Sequence, residues 1–231
     1  MLFPIRINKY LADKKIASRR EADELIRQGK VKVNGQKAEL GAMVREGDRV
    51  EVGGKMKELV YIAFNKPEGI ITHSPQKGET SIADILKLKY KVFPLGRLDK
   101  DSRGLIMLTN DGRITDKLLN PIERHEKEYE VRVNKPVSRD FISRMEQGVK
   151  LDDGYVTQKC VLKKLDKFSF SIILTEGKKR QIRRMCAALE YEVLDLNRVR
   201  IMNIKLGELK SGGYWILVGK EREEFLAKMG L

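Results

Sequence analysis

The sequence predicts an α+β protein built in two parts: a small helix–helix–hairpin unit over residues 1–52, a linker over 53–60, and a larger part over 61–231 with a largely antiparallel mixed sheet flanked by helices. Three observations predict it. From Tyr61 onward, short paired helices give way to strands that alternate with modest helices. Tyr129, Val131 and Val133 alternate with polar neighbours, as do Phe168, Phe170 and Ile172, which is the pattern of antiparallel strands with one face packed. No regular strand–helix–strand repeat runs through the chain, so a doubly wound parallel fold does not fit.

Ile7 and Leu11 share the four-residue step of a first short helix. Ser18-Arg19-Arg20-Glu21 has the form of a capping box, in which serine and the glutamate three residues on satisfy each other's backbone amides. Ala22, Leu25 and Ile26 continue a second helix that Gly29 ends. Val31 and Val33 then alternate into Asn34-Gly35, a hairpin turn signal, and Val50 and Val52 alternate again after Gly47-Asp48. Gly53-Gly54-Lys55-Met56-Lys57 has the composition of a short linker.

In the larger part, strands are predicted at 60–65, 104–109, 127–134, 156–163, 168–175 and 214–218. Helices are predicted at 80–87, 112–119, 138–147, 180–189 and 221–229.

Charge limits the function. Lysine and arginine outnumber acidic residues 47 to 33, a net charge of +14. Residues 1–60 hold 14 of those bases against 9 acids, so the excess is spread over both parts. Such a surface points to a polyanion, since bound cations release the counterions condensed on nucleic acid. The longest uncharged apolar stretch, around Ser211 to Gly219, is far too short to span a membrane, and no signal peptide is expected at the start. A cytoplasmic protein with no membrane partner is expected. Cys160, Cys186, His73 and His125 lie scattered, so neither a zinc site nor a histidine-based triad is expected, and no metal. Glycine-rich phosphate loops are missing, which argues against the common nucleotide cofactors.

Two polar clusters stand out. Gly96-Arg97-Leu98-Asp99 precedes Lys100-Asp101-Ser102-Arg103-Gly104 and an apolar strand. In an extended segment Arg97 and Asp99 project to one side, and an arginine there would keep the carboxylate ionised for use as nucleophile or base. Lys178-Lys179-Arg180-Gln181-Ile182-Arg183-Arg184 opens a helix with cations, which the helix dipole disfavours unless phosphate or a carboxylate compensates.

These motifs carry a family resemblance. Ile7-Asn8-Lys9-Tyr10-Leu11-Ala12, Ser18-Arg19-Arg20-Glu21-Ala22 and Gly29-Lys30-Val31-Lys32-Val33-Asn34-Gly35 resemble an S4 RNA-binding domain. Lys66-Pro67-x-Gly69, Gly96-Arg97-Leu98-Asp99 with Gly104-Leu105, Lys127-x-Tyr129-x-Val131 and Arg180-Gln181-Ile182-Arg183-Arg184-Met185 resemble, in order and spacing, a pseudouridine synthase of the RsuA family. Lys100-Asp101-Ser102, His125-Glu126-Lys127-Glu128-Tyr129 and Arg200-Ile201-Met202-Asn203 look most like its RluF type, whose members act on large-subunit rRNA.

The resemblance implies a cofactor-free isomerisation of uridine to pseudouridine in ribosomal RNA by a cytoplasmic monomer. It implies Asp99 as the essential carboxylate, Tyr129 as the ring stacked on the target uracil, and Arg183 as the cation paired with the catalytic carboxylate. Ile182 would wall the base, Lys66 support the pocket floor, and Arg97 hold the loop or a phosphate; Arg180 would contact substrate. Lys9, Arg19, Arg20, Lys30, Lys32, Lys178 and Lys179 would meet RNA. The alternatives are a target in small-subunit rRNA or tRNA and, in another class, a non-catalytic RNA-binding or ribosome-assembly protein.

Overall fold

The computed structural model describes residues 2–54, 58–119 and 124–231; residues 55–57 of the expected linker lie outside the described residues. The N-terminal part runs β1 (Ile5–Arg6), α1 (Ile7–Asp13), α2 (Arg19–Arg27), β2 (Val31–Val33), β3 (Gln36–Lys37), β4 (Met43–Val44) and β5 (Val50–Val52). It has its own core of Ile5, Ile7, Leu11, Ala17, Ala22, Ile26, Val31 and Val44. The capping box forms as predicted: Glu21 N donates to Ser18 Oγ at 3.3 Å and Ser18 N to Glu21 Oε2 at 2.9 Å. Asn34 and Gly35, at φ 51° and 81°, turn β2 into β3, the two positive φ values that suit a two-residue hairpin.

The larger part runs β6 (Tyr61–Lys66), α3 (Ile82–Ile85), β7 (Phe93–Leu95), β8 (Arg103–Thr109), α4 (Ile114–Leu119), β9 (Lys127–Val133), α5 (Arg139–Gln147), β10 (Val161–Lys164), β11 (Ser169–Leu174), α6 (Gln181–Ala188), β12 (Val193–Ile201), β13 (Ile204–Lys205), β14 (Tyr214–Ile216) and α7 (Gly219–Lys228). One mixed sheet has the order β10-β11-β9-β12-β8-β6-β14, with β13 beside β12 and β7 beside β8. Among its described pairings, β12 with β8 is parallel and the rest are antiparallel.

Both faces of β6 and β8 are covered, which is why they read as unbroken apolar runs. Ile62, Phe64, Ile106 and Leu108 pack on one face with Ile82 and Leu98. Tyr61, Ala63, Leu105 and Met107 pack on the other with Ile114, Leu118 and Phe225. A further core joins Val131, Phe170, Ile172 and Leu196 of the sheet to Phe141 and Met145 of α5 and Ile182 and Met185 of α6. Phe141 meets Phe170 edge-on at 5.3 Å, and truncating either to alanine would cost about 3–5 kcal/mol. Tyr129 packs against both this core and that of Ile62 and Ile106, so it stands where two packed blocks meet on the sheet.

The strand predicted at 156–163 begins only at Val161. Before it, the backbone is pinned elsewhere: Thr157 Oγ1 accepts from Val149 N, and Gln158 N donates to Glu176. The helix predicted at 80–87 is a single turn, since Leu86 leaves it at ψ 96°. The central strand β12, with β7 and β13, has no counterpart among the predicted elements of the larger part.

The two parts touch at the C-terminal end of β8. Arg113 Nη1 donates to Lys15 O at 2.7 Å, and Lys15 Nζ donates to Gly230 O. Arg113 is itself fixed by buried Asp111, which also accepts from Tyr61 Oη at 2.6 Å.

Candidate active site

The loop between β7 and β8 carries Asp99, and the chain at 69–72 clamps it. Thr72 Oγ1 donates to Leu98 O at 2.6 Å and accepts from Leu98 N at 3.1 Å. Gly69 N donates to Lys100 O, and Ser102 N turns back to Asp99 O. Because Leu98 is drawn into the core, its neighbours face outward: Arg97 is exposed and Asp99 half-buried. Among the described residues, Asp99's carboxylate makes no hydrogen bond or ion pair, though its field reaches Lys66 and Arg180.

Beside this loop, strand register lines up one residue from each of four strands. Tyr129 of β9 pairs with Arg198 of β12, Arg198 with Gly104 of β8, and Gly104 with Lys66 of β6. Paired residues on neighbouring strands share a face, so the three side chains form a row. Gly104 has φ 106°, and a Cβ there would collide with Arg198 O and Asn197 Oδ1. Only glycine lets β8 and β12 close here.

Lys66 is fully buried, with Nζ donating to Pro67 O at 2.8 Å and Ile70 O at 2.7 Å. Burial pushes its ammonium down to about 8, against the opposing fields of Asp101, Asp99 and Glu68; Arg198 lowers it further. Lys127, two residues before Tyr129, is likewise pushed down to about 8, by burial and then by Arg198. Arg198 is 3% exposed, donates Nε–H to Leu105 O at 2.6 Å, and lies 6.0 Å from the centre of the Tyr129 ring.

Two sequence expectations about arginine change here. Arg97 points to solvent and pairs with no carboxylate among the described residues, because Leu98 takes the inward position. Arg183 meets Asp101, not Asp99. Its Nε lies 3.3 Å from Asp101 Oδ2, its Nη2 donates to Asp101 O at 2.6 Å, and its Nη1 donates to Val193 O at 2.9 Å. Arg180 joins from the same turn, with Nη1 and Nη2 at 3.2 and 2.8 Å from the two Asp101 oxygens. Burial works against the ionised Asp101, but the Arg180 hydrogen bonds and the charges of Arg183 and Arg180 hold it below the usual carboxylate range. This is the carboxylate that offsets the cations opening α6. Arg184 is met in turn by Asp152 and Asp153.

The turn before α6 is set by buried Glu176, which accepts from Tyr155 Oη, Gln158 N and Gln181 Nε2. Lys178 and Lys179 are exposed on it, and Ile182 is buried in the core that Tyr129 borders. Lys9, Arg19, Arg20, Lys30 and Lys32 are all exposed on the N-terminal part. Arg19 and Arg20 line a cleft of about 1200 Å³ between the two parts, with Lys15, Lys89, Lys91 and Lys117. The cleft adjoins Asn110, and with about 3.4 Å per residue it lies about 20 Å along β8 from Gly104. The structure thus gathers Lys66, Asp99, Tyr129, Arg180, Ile182 and Arg183 around one end of β8 and places Arg19 and Arg20 at the other.

Comparison with known proteins decides what this arrangement is. The family described as RNA pseudouridylate synthase matches residues 60–188, and the S4 domain matches residues 5–50. The chain belongs to the RNA pseudouridylate synthase family. It is an isomerase that converts uridine to pseudouridine in RNA, with an S4 RNA-binding domain in front. Among relatives of this synthase, the dual-specificity RNA pseudouridine synthase RluF of Escherichia coli K12 is 45% identical over 223 residues, 94% of this chain and 77% of the relative. Ribosomal large subunit pseudouridine synthase B of Bacillus subtilis is 37% identical over 218 residues, covering 90% and 89%. A crystal structure of a pseudouridylate synthase superposes with a TM-score of 0.71 at 28% identity, over 97% of this chain and 99% of that one.

Asp101, Lys127 and Arg198 are site residues to which sequence reasoning gave no role. Arg198 left no strand signal, since the polar Asn197-Arg198 pair breaks the alternation, and its burial depends on partners far along the chain.

Proposed function

We propose that this synthase modifies a uridine of large-subunit ribosomal RNA, acting as a cytoplasmic monomer, with Asp99 as its essential carboxylate. The observation that supports this most is Asp99 itself: a half-buried carboxylate left without a partner among the described residues, in a loop clamped by Thr72, beside a row of buried cations and Tyr129. The name of the Bacillus subtilis relative, a ribosomal large subunit pseudouridine synthase, supplies the rRNA target.

The target uridine is flipped from its stack at a cost of a few kcal/mol. Its uracil stacks on Tyr129 against Ile182, above a floor held by Lys66. Asp99 attacks C1′ or removes the C2′ proton, and in either case the C1′–N1 bond breaks. The base turns, C5 bonds to C1′ as the Asp99–C1′ bond breaks or the C2′ proton returns, Tyr129 helps to take the C5 proton, and N1 gains one. Arg183 and Arg180 act through Asp101 as positioning residues, tying α6 to the loop that carries Asp99. Arg97 and the exposed Lys178 and Lys179 contact phosphates near the site. Lys9, Arg19, Arg20, Lys30 and Lys32 contact phosphates through the S4 domain. The name of the Escherichia coli relative, which credits it with dual specificity, favours a second RNA target as well.

Pseudouridine mapping of ribosomal RNA and tRNA, in cells with and without the gene, tests this reading, with wild type and Asp99→Asn as rescues. A large-subunit signal lost and restored by wild type alone is the expected result. A signal lost only from small-subunit rRNA or tRNA overturns the target, and rescue by Asp99→Asn overturns the role of Asp99. A solution mass near 26.6 kDa is expected for the monomer.

A further inference from the structure

Arg198 has unused donor capacity at a place where the reaction generates charge. Its Nη2 is sealed from solvent and has no acceptor, while Nε is occupied by Leu105 O. Lys66 and Lys127 are each repelled by its positive charge, which at Lys66 is opposed by the fields of Asp101, Asp99 and Glu68, and none of the three cations makes a hydrogen bond to a carboxylate among the described residues. An unpaired buried donor is destabilising, and a desolvated charge more so. A site that keeps such a cluster recovers that loss only when an acceptor or an anion enters.

The position of the cluster selects that acceptor. Arg198 lies in the sheet itself, in register with Tyr129 and 6.0 Å from its ring centre. A flipped nucleotide inserts its base deepest and leaves its phosphates at the rim. The group that reaches Arg198 is therefore the base. As the C1′–N1 bond breaks, the bonding pair stays on N1, and the negative charge spreads over N1 and the O2 and O4 carbonyls. When C5 attacks C1′, Asp99 is released from C1′ or the C2′ proton is returned, the C5 proton leaves and N1 is protonated, so no atom or electron is gained. Attack at C1′ and removal of the C2′ proton release the same uracil anion.

We propose that Arg198 touches the substrate: a shift of the side chains that cover it lets its unpaired Nη2–H donate to a carbonyl oxygen of the target uracil, and Arg198, Lys66 and Lys127 together stabilise the detached base as an anion while it turns. The proposal rests on the assignment of Asp99 and Tyr129 above, and it adds three cations whose effect is greatest after the glycosidic bond has broken.

The test is single-turnover conversion of a transcript carrying the mapped uridine, alongside RNA affinity. Arg198→Gln is expected to slow the saturated step by about 10²–10³-fold, with RNA affinity within about threefold of wild type, and Arg198→Lys to recover part of the rate. In a second arm the target is replaced by 2-thiouridine or 4-thiouridine, since sulfur is the weaker acceptor. One of the two is expected to slow wild type about tenfold and to slow Arg198→Gln no further. An unchanged saturated rate with weakened affinity marks a phosphate contact and overturns the proposal, as do additive losses in the thio arm. If Arg198→Gln fails to fold, the thio arm in wild type still decides: full rate with both bases overturns it. Asp99→Asn run in parallel separates the two readings, because activity retained there removes the site assignment itself.

Discussion

Asp101→Asn removes the carboxylate that ties both arginines of α6 to the loop of Asp99. The side chains of Arg180 and Asp101 are 43% and 41% exposed, so solvent screening holds that pair to under about 1 kcal/mol. Arg183 is 14% exposed and loses its contact at 3.3 Å, yet it keeps two backbone acceptors, Asp101 O and Val193 O. A total loss of about 1–2 kcal/mol follows, which for a chain of this length lowers Tm by about 3–6 °C. Catalysis should suffer more than stability, because a shift of about 1 Å in a reacting carboxylate costs about 10²-fold. The stability part also has a pH signature. Asp101 has a lowered pKa in the folded chain, so its contribution is full above the ordinary carboxylate range and disappears as pH falls through the lowered value. Thermal melts of wild type and Asp101→Asn from neutral to acid pH should therefore converge at the acid end. A rate equal to wild type at saturating RNA, despite the lower Tm, would refute the positioning role; a Tm gap that persists undiminished in acid would refute the electrostatic account.

Three further outcomes are expected. Asp99→Asn should abolish conversion in a pseudouridine assay while filter binding shows RNA affinity unchanged; residual conversion would remove Asp99 from the chemistry. Arg19→Glu with Arg20→Glu should weaken RNA binding and reduce the slope of log affinity against log salt by about 2, and an unchanged slope would show that these arginines meet no phosphates. Gly104→Ala should lower stability by about 3 kcal/mol or more, since its Cβ meets the β12 backbone at positive φ. Gly177→Ala, with no atom within 4 Å of the added carbon, should leave Tm within a degree or two; equal melts for the two variants would contradict the packing of β8 on β12.

Features set by nearby residues were legible in the sequence. The capping box of Ser18 and Glu21 closes over three positions, and the Asn34-Gly35 turn over two, so their signals lie in the local string. Strands β6, β8, β9 and β11 announce themselves because most of their buried positions are apolar. The strand β12 stayed hidden for the opposite reason: two of its buried positions are Asn197 and Arg198, polar residues that break the alternation. Arg198 of that pair stands beside Tyr129. The pairing of Arg183 with Asp99 is implied by the family resemblance, and the structure puts Arg183 on Asp101, two residues further on. The difference is Leu98, whose burial turns Asp99 and Asp101 to different neighbours, and that is settled by packing across the sheet.

The row of Tyr129, Arg198, Gly104 and Lys66 also sets the order in which the chain becomes an enzyme. Its members come from four strands, and the join between its halves is the parallel pairing of β8 with β12. A parallel pairing between strands so distant in sequence is slow to form, because the intervening chain must be ordered before the contact stabilises anything. Until β12 pairs with β8, the paired β6 and β8 bury apolar faces but hold only the Gly104 and Lys66 half of the row. Catalytic competence therefore waits on the pairing of β8 with β12.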